Sequence, residues 1–193
     1  MTDRDARDRG CGRDFAFWLM PGARWSAPLA KTIDALAVRH GARAAGSFAP
    51  HITLYGGKTD DPTEAVAWTD ELAKGRHPLP LNVSGIDARE SYFQTLFLDF
   101  AITPSLTAMF HEVVAALGNP KNYELRPHLS LLYADMSLAQ KRREVDRLMR
   151  SDVAAYVGTD LVFDRLALVA PNDAGLGWRN LSSWRVLASA DLA

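Results

Sequence analysis

Two short segments that nearly repeat each other, PHITLY at residues 50–55 and PHLSLLY at 127–133, constrain this chain more than any other feature. Each begins with a proline and carries a histidine two positions before a hydroxyl residue. Side chains at i and i+2 of a β-strand share a face, so His51 points with Thr53 and His128 points with Ser130. A near-copy of this kind implies an internal duplication. Two related halves facing each other across a cleft would present two imidazoles and two hydroxyls to one ligand.

The rest of the sequence fits such a duplication. Residues 14–21, DFAFWLMP, read as a buried strand ended by Pro21-Gly22, and Leu29, Ile33, Leu36 and Ala37 recur at helical spacing over 27–40. The first histidine segment is a strand expected to close at Gly56-Gly57. Asp61-Pro62 then has the cap and first-turn chemistry of a helix running to Gly75. Residues 79–89 and 92–100 are expected to be antiparallel neighbours joined by a tight turn at Glu90-Ser91. Thr103-Pro104 opens a third helix, whose stripe from Leu106 to Leu117 is stopped by Gly118. After the second histidine segment, Ser137 and Gln140 form a capping-box signature for a fourth helix through Arg150, with Leu138, Val145, Leu148 and Met149 inward. Residues 160–170 and 181–189 read as closing strands, joined by a Gly- and Asn-rich loop at 171–180 that is long enough to move.

Composition excludes several function classes. Hydrophobic residues make up 48% and charged residues 23%, which is globular, and no apolar run approaches the roughly 20 residues of a membrane span. The 22 Lys+Arg and 23 Asp+Glu nearly cancel, so there is no overall basic field to hold long nucleic acid. The single Cys11 excludes an intramolecular disulfide. Residues 1–14 alternate acids and bases with no apolar signal region, and are expected to be a disordered tail ahead of one domain over 15–193. Cytoplasmic residence and a monomeric state are the corresponding expectations.

Paired His-x-Thr/Ser motifs suit a phosphodiester. In-line displacement at phosphorus needs a base for the nucleophile and an acid for the leaving oxygen on the opposite side. Two histidines titrating near neutrality supply both, and hydroxyl donors hold the non-bridging oxygens. Other chemistry lacks its anchor here. His40, His77 and His111 have no hydroxyl at +2, HEVVA at 111–115 is not His-Glu-x-x-His, and neither a Gly-x-Ser-x-Gly elbow nor a Gly-x-x-x-x-Gly-Lys-Ser/Thr loop is present. Lys58 and Arg126 lie near the motifs, where exposed basic residues are usually just solvated.

With HITL and HLSLLY in hand, the chain resembles the two-histidine phosphoesterases. It is most similar to their 2′,3′-cyclic nucleotide phosphodiesterases of the plant and yeast type, in which FWLMP, YFQTLFL and PHLSLLY recur in similar form and order. The resemblance implies an α+β fold of two pseudo-symmetric lobes, each an antiparallel sheet flanked by helices, around a central cleft. It implies His51 and His128 as the acid–base pair, with His128 as base and His51 as acid, and Thr53 and Ser130 as phosphate ligands. Tyr133, Phe93 and Trp18 match aromatic positions that line the substrate or its nucleoside. The implied reaction is hydrolysis of a ribose cyclic phosphate to a 2′-phosphate, or of ADP-ribose 1″,2″-cyclic phosphate, with no metal or other cofactor. The partner is a small nucleotide cyclic phosphate or a short RNA end. Rival readings are ligation or opening of 2′–5′ linkages at RNA ends, and a nucleotide-binding module without catalysis.

Overall fold

The strand at Arg13–Pro21, β1, is buried on both faces, and the architecture follows from how each face is covered. Phe15, Phe17 and Leu19 point into the main core, while Ala16 and Trp18 point the other way, into a small apolar cluster with Ala167 and Val169. The computed structural model describes residues 13–41, 44–59, 62–119, 122–171 and 184–193. After β1 come α1 (Ala23–His40), β2 (Ile52–Thr59), α2 (Pro62–Ala73), β3 (Leu79–Asp87), β4 (Leu96–Phe100), α3 (Pro104–Leu117), β5 (His128–Leu132), α4 (Leu138–Leu148), β6 (Asp160–Pro171) and β7 (Trp184–Asp191). Short 3-10 turns lie at Tyr92–Gln94 and Asp152–Tyr156. Among these residues no helix is long and apolar enough to cross a membrane.

Every strand pair is antiparallel. Neighbours run β1-β2-β5-β4-β3-β6, and β6 returns to β1, so six strands close a ring that β7 extends along β6. The ring has an internal twofold. Exchanging β1 with β4, β2 with β5 and β3 with β6 maps β1–β2 onto β4–β5 and β1–β6 onto β4–β3, and leaves the β2–β5 and β3–β6 junctions in place. Even the irregularities correspond. The register slips between Phe17 and Trp18 against β2, and between Leu96 and Phe97 against β5. The residue left over is Leu54 in one half and Leu131 in the other, each immediately after the hydroxyl of its motif. The duplicated sequence has therefore become two related α+β halves with the histidine strands meeting between them.

Some boundaries differ from those the sequence suggests. β2 does not close at Gly56-Gly57 but runs on to Thr59, pairing with β1 back to Arg13, so residues 13 and 14 are strand and not tail. Gly57 is present for room: a Cβ there would lie 2.7 Å from Tyr55 Cε1 and 2.9 Å from Phe15 Cζ. β3 and β4 are joined by a longer connection than a tight turn, and Phe93 sits in its 3-10 turn, not in a strand. α1 starts at Ala23, directly after Gly22, and takes Pro28 into its interior. α4 has the capping box at Ser137 and Gln140 but ends at Leu148, with Met149 exposed and the polar Lys141 and Glu144 buried. Residues 1–12, including Cys11, and most of the loop expected at 171–180 lie outside the described residues.

Candidate active site

Ile52 and Leu129 are paired at the junction of β2 and β5, and both side chains are buried in the core. Their neighbours on each strand therefore project from the opposite face. Antiparallel register about this pair sets Thr53 across from His128 and His51 across from Ser130, so the imidazole of each motif neighbours the hydroxyl of the other. The same face of the flanking strands adds one aromatic residue per half. Trp18 pairs with Thr53 and Phe97 with Ser130, at equivalent positions of the twofold.

Each histidine is oriented by its own backbone. His51 Nδ1 lies 2.7 Å from the Ala49 carbonyl oxygen, and His128 Nδ1 lies 2.7 Å from that of Arg126. A carbonyl only accepts, so Nδ1 carries the proton in both rings and donates it, which leaves Nε2 as the atom that gains and loses a proton. The intervening Pro50 and Pro127 keep Ala49 and Arg126 extended, which aims each carbonyl back at its imidazole. The shared prolines of the two motifs thus have a local purpose.

The two environments are unequal. His51 is 4% exposed, with the Trp18 indole stacked flat on it at 3.7 Å between centroids and 12° between planes. Trp184 stacks in turn on Trp18 at 5.5 Å, and Phe48 meets His51 edge-on at 6.3 Å. Burial, reinforced by the nearby His128, lowers the His51 pKa from 6.5 to about 4. His128 meets Phe97 edge-on at 5.2 Å and 68°. Burial lowers its pKa too, while the Arg126 carbonyl, Asp99 and the Phe93 carbonyl pull it upward and Arg89 downward.

The hydroxyls also differ. Ser130 Oγ donates to the Phe93 carbonyl at 3.2 Å and lies near the Tyr133 phenol, whose ionised form it favours. Tyr133 is buried, which pushes its pKa up to about 12, and it is boxed by Phe48 at 4.5 Å, Phe93 at 5.9 Å and Tyr92 at 6.1 Å. Phe93 is partly open to solvent. The backbone carbonyl of Thr53 accepts from the Tyr123 phenol at 3.1 Å, and its own hydroxyl makes no hydrogen bond among the described residues. All seven residues singled out in the sequence therefore belong to this neighbourhood, with Trp18 lying against His51 and not against open cleft. Tyr55, the tyrosine of the first motif, is not the counterpart of Tyr133. It pairs with Phe17 where Leu132 pairs with Leu96, and its phenol donates to the Gly118 carbonyl at 2.8 Å in the core.

Sequence reasoning missed Phe48, Tyr92, Phe97, Arg89 and Asp99. Asp99 carried a visible signal, a lone charge inside the apolar run LFLDF. Arg126, noted beside the second motif, is ion-paired with Glu124.

A closed antiparallel ring with a histidine–hydroxyl pair from each half is the architecture of a two-histidine phosphoesterase. The solved structures agree on the fold: Escherichia coli LigT complexed with 3′-AMP superposes with a TM-score of 0.55 at 13% identity, covering 94% of this chain and 99% of LigT. TT0787 of Thermus thermophilus gives 0.55 at 16% identity over 93% of this chain and 97% of its own. Within that class the chain belongs to the cyclic phosphodiesterase-like protein family, whose model matches residues 14–192, and it is a phosphodiesterase. A cyclic phosphodiesterase of Arabidopsis thaliana is 24% identical over 185 residues, 92% of this chain and 94% of the plant protein.

Proposed function

We propose that the protein opens a cyclic phosphate on ribose with water, converting a 2′,3′-cyclic nucleotide to the nucleoside 2′-phosphate, with ADP-ribose 1″,2″-cyclic phosphate as a related substrate. The observation that carries this reading is the pair of imidazoles whose Nδ1 atoms are both tied to backbone carbonyls, leaving two titrating Nε2 atoms on one face of the β2–β5 junction. In-line displacement uses this arrangement directly. One Nε2 takes a proton from water as its oxygen bonds to phosphorus, and the other gives a proton to the ribose oxygen whose bond to phosphorus breaks. Solvent exchange then restores both rings.

Thr53 and Ser130 bind the non-bridging oxygens. The Thr53 hydroxyl is available as it stands, whereas Ser130 exchanges its bond to the Phe93 carbonyl for one to phosphate. Tyr133 stays a neutral phenol at working pH, because of its raised pKa, and steadies Ser130 from behind. Phe93, at the solvent-facing edge, offers a ring on which a base can stack. LigT is solved with 3′-AMP, which supports a ligand of nucleotide size for this fold. One chain supplies both imidazoles and both hydroxyls, so a monomer suffices, and acid and base are present without a metal.

Phosphorus NMR of the protein with 2′,3′-cyclic AMP in EDTA tests this. The wild type is expected to form the 2′-phosphate, and His51→Ala and His128→Ala to lose about 10²–10⁴-fold in rate each. An inert wild type, or an activity that both variants retain, would overturn the assignment.

A further inference from the structure

The internal twofold poses a question that the ring alone does not answer. In a symmetric site either histidine could serve as acid, so the roles depend on where the two halves differ. On the cleft face the cross-strand partner of His128 is Asp99 of β4. The twofold, which matches Trp18 with Phe97 and Leu19 with Leu98, puts Met20 of β1 at the corresponding place beside His51. A carboxylate in one half thus stands where a thioether stands in the other. The aromatic neighbours differ in the same sense, with an indole lying flat on His51 and a phenyl edge meeting His128.

We propose that Asp99 breaks the symmetry of the site and acts through His128 as a positioning residue, favouring the protonated form of that ring so that it serves as general acid and leaving His51 as the base. This rests on the acid–base reading above and reverses the roles implied by the family resemblance. Directly opposed residues of an antiparallel pair have Cβ atoms about 4.5–5.5 Å apart, close enough for a carboxylate to favour an imidazolium. The Ser84 hydroxyl, at 3.5 Å, lies against the Asp99 carboxylate on its far strand. The other charged groups around His128 among the described residues are Arg89, which opposes the imidazolium, His51 across the junction, and the Glu124–Arg126 ion pair before β5. Among the described residues the rings packed against His51, Trp18 and Phe48, are uncharged, and its low pKa agrees with this order. A bound phosphodiester anion favours the charged form of both rings.

In the proposed step, the oxygen of water bonds to phosphorus while His51 Nε2 takes its proton. The bond from phosphorus to the departing ribose oxygen breaks while His128 Nε2 protonates that oxygen. The turnover ends with His51 charged and His128 neutral, and exchange with solvent resets them.

Two readouts test this in the full chain, comparing wild type, Asp99→Asn and the control Asp87→Asn. Asp87 lies on the same face but is engaged by the Ala88 amide at 2.7 Å. The first is titration of the imidazole nitrogens by NMR without substrate. His128 is expected to protonate at higher pH than His51, and Asp99→Asn to lower the His128 midpoint alone, with Asp87→Asn leaving both in place. The reverse order of midpoints, or a His128 midpoint unmoved in Asp99→Asn, overturns the proposal even if the protein hydrolyses no cyclic phosphate. The second is the pH profile of kcat/KM on 2′,3′-cyclic AMP. Asp99→Asn should lose at least about threefold more activity at pH 8 than at pH 6, because the acid deprotonates earlier. A gain on the acid side with activity at pH 8 unchanged, the acidic limb moving to lower pH, would instead make His128 the base and overturn the proposal.

Discussion

Trp18 lies flat on His51, and an indole in that place governs a proton as well as a packing contact. By excluding water from one face of the ring it disfavours the imidazolium, which keeps His51 neutral well below the usual histidine range. Trp18→Phe retains an aromatic surface but uncovers part of the ring. The His51 pKa should then rise towards 6.5, and the acidic limb of the kcat/KM profile should move to higher pH with it. Activity at pH 5 relative to pH 7 is expected to fall several-fold against wild type. A profile that instead broadens on its alkaline side would identify His51 as the acid. The substitution also removes part of the stack with Trp184, costing about 1–2 kcal/mol of stability.

The connection between β3 and β4 shows how one buried cation organises an element. Lys141 on α4 is 1% exposed, and its ammonium donates to the carbonyl oxygens of Arg89, Glu90 and Ser91 at 2.8, 3.1 and 3.0 Å. Its three donors meet three consecutive acceptors. The segment they hold leads into the 3-10 turn at Tyr92–Gln94, whose Phe93 carbonyl receives Ser130. It also carries Arg89, whose guanidinium stands over the Phe97 ring at 5.6 Å. Lys141→Met keeps the chain length but strands three acceptors, so about 2–4 kcal/mol of stability should be lost in chemical denaturation. KM for the cyclic nucleotide should rise and kcat should fall as well, since the loop carries Phe93 at the proposed substrate edge and Arg89 beside His128. An unchanged KM would separate the loop from substrate. This element also marks where the sequence stopped being legible. The histidine strands, the capping box at Ser137 and the α3 stripe announce themselves through local spacing, because each depends on residues near in the chain. Lys141 sits in the basic run KRR and reads as solvated surface. Its acceptors are some fifty positions away and are backbone carbonyls, which no side-chain pattern records. The strand through Gly56-Gly57 was hidden for a similar reason, since the rings that require Gly57 to lack a Cβ include Phe15 on the neighbouring strand.

At the scale of the whole molecule, the site exists only while the two halves are docked. Among the described residues their named strands meet at the β3–β6 pairing of Leu79–Asn82 with Asp160–Phe163 and at the single Ile52–Leu129 pair beside the histidines, and an Ala44–Ala134 bridge adds to the second. His51 is buried at the second, so its proton affinity is coupled to global folding. In the unfolded chain His51 has the ordinary pKa of 6.5, and in the folded chain about 4. Between those values the unfolded state binds a proton that the native state does not, so stability is complete above pH 6.5 and falls as the pH drops. A difference of that size is worth about 3 kcal/mol at pH 4, and the lowered His128 adds in the same direction. His51→Gln removes the titrating group while keeping a polar side chain. Urea unfolding at pH 7 and pH 4.5 should therefore show the wild type losing about 2–3 kcal/mol more than the variant between the two conditions, with the carboxylates common to both cancelling in the comparison. Parallel losses would mean that His51 reaches solvent in the folded protein, and that the junction between the halves opens without unfolding. A larger loss in the wild type would tie catalysis to architecture: the same burial that prepares a neutral base limits how acidic a medium the fold withstands.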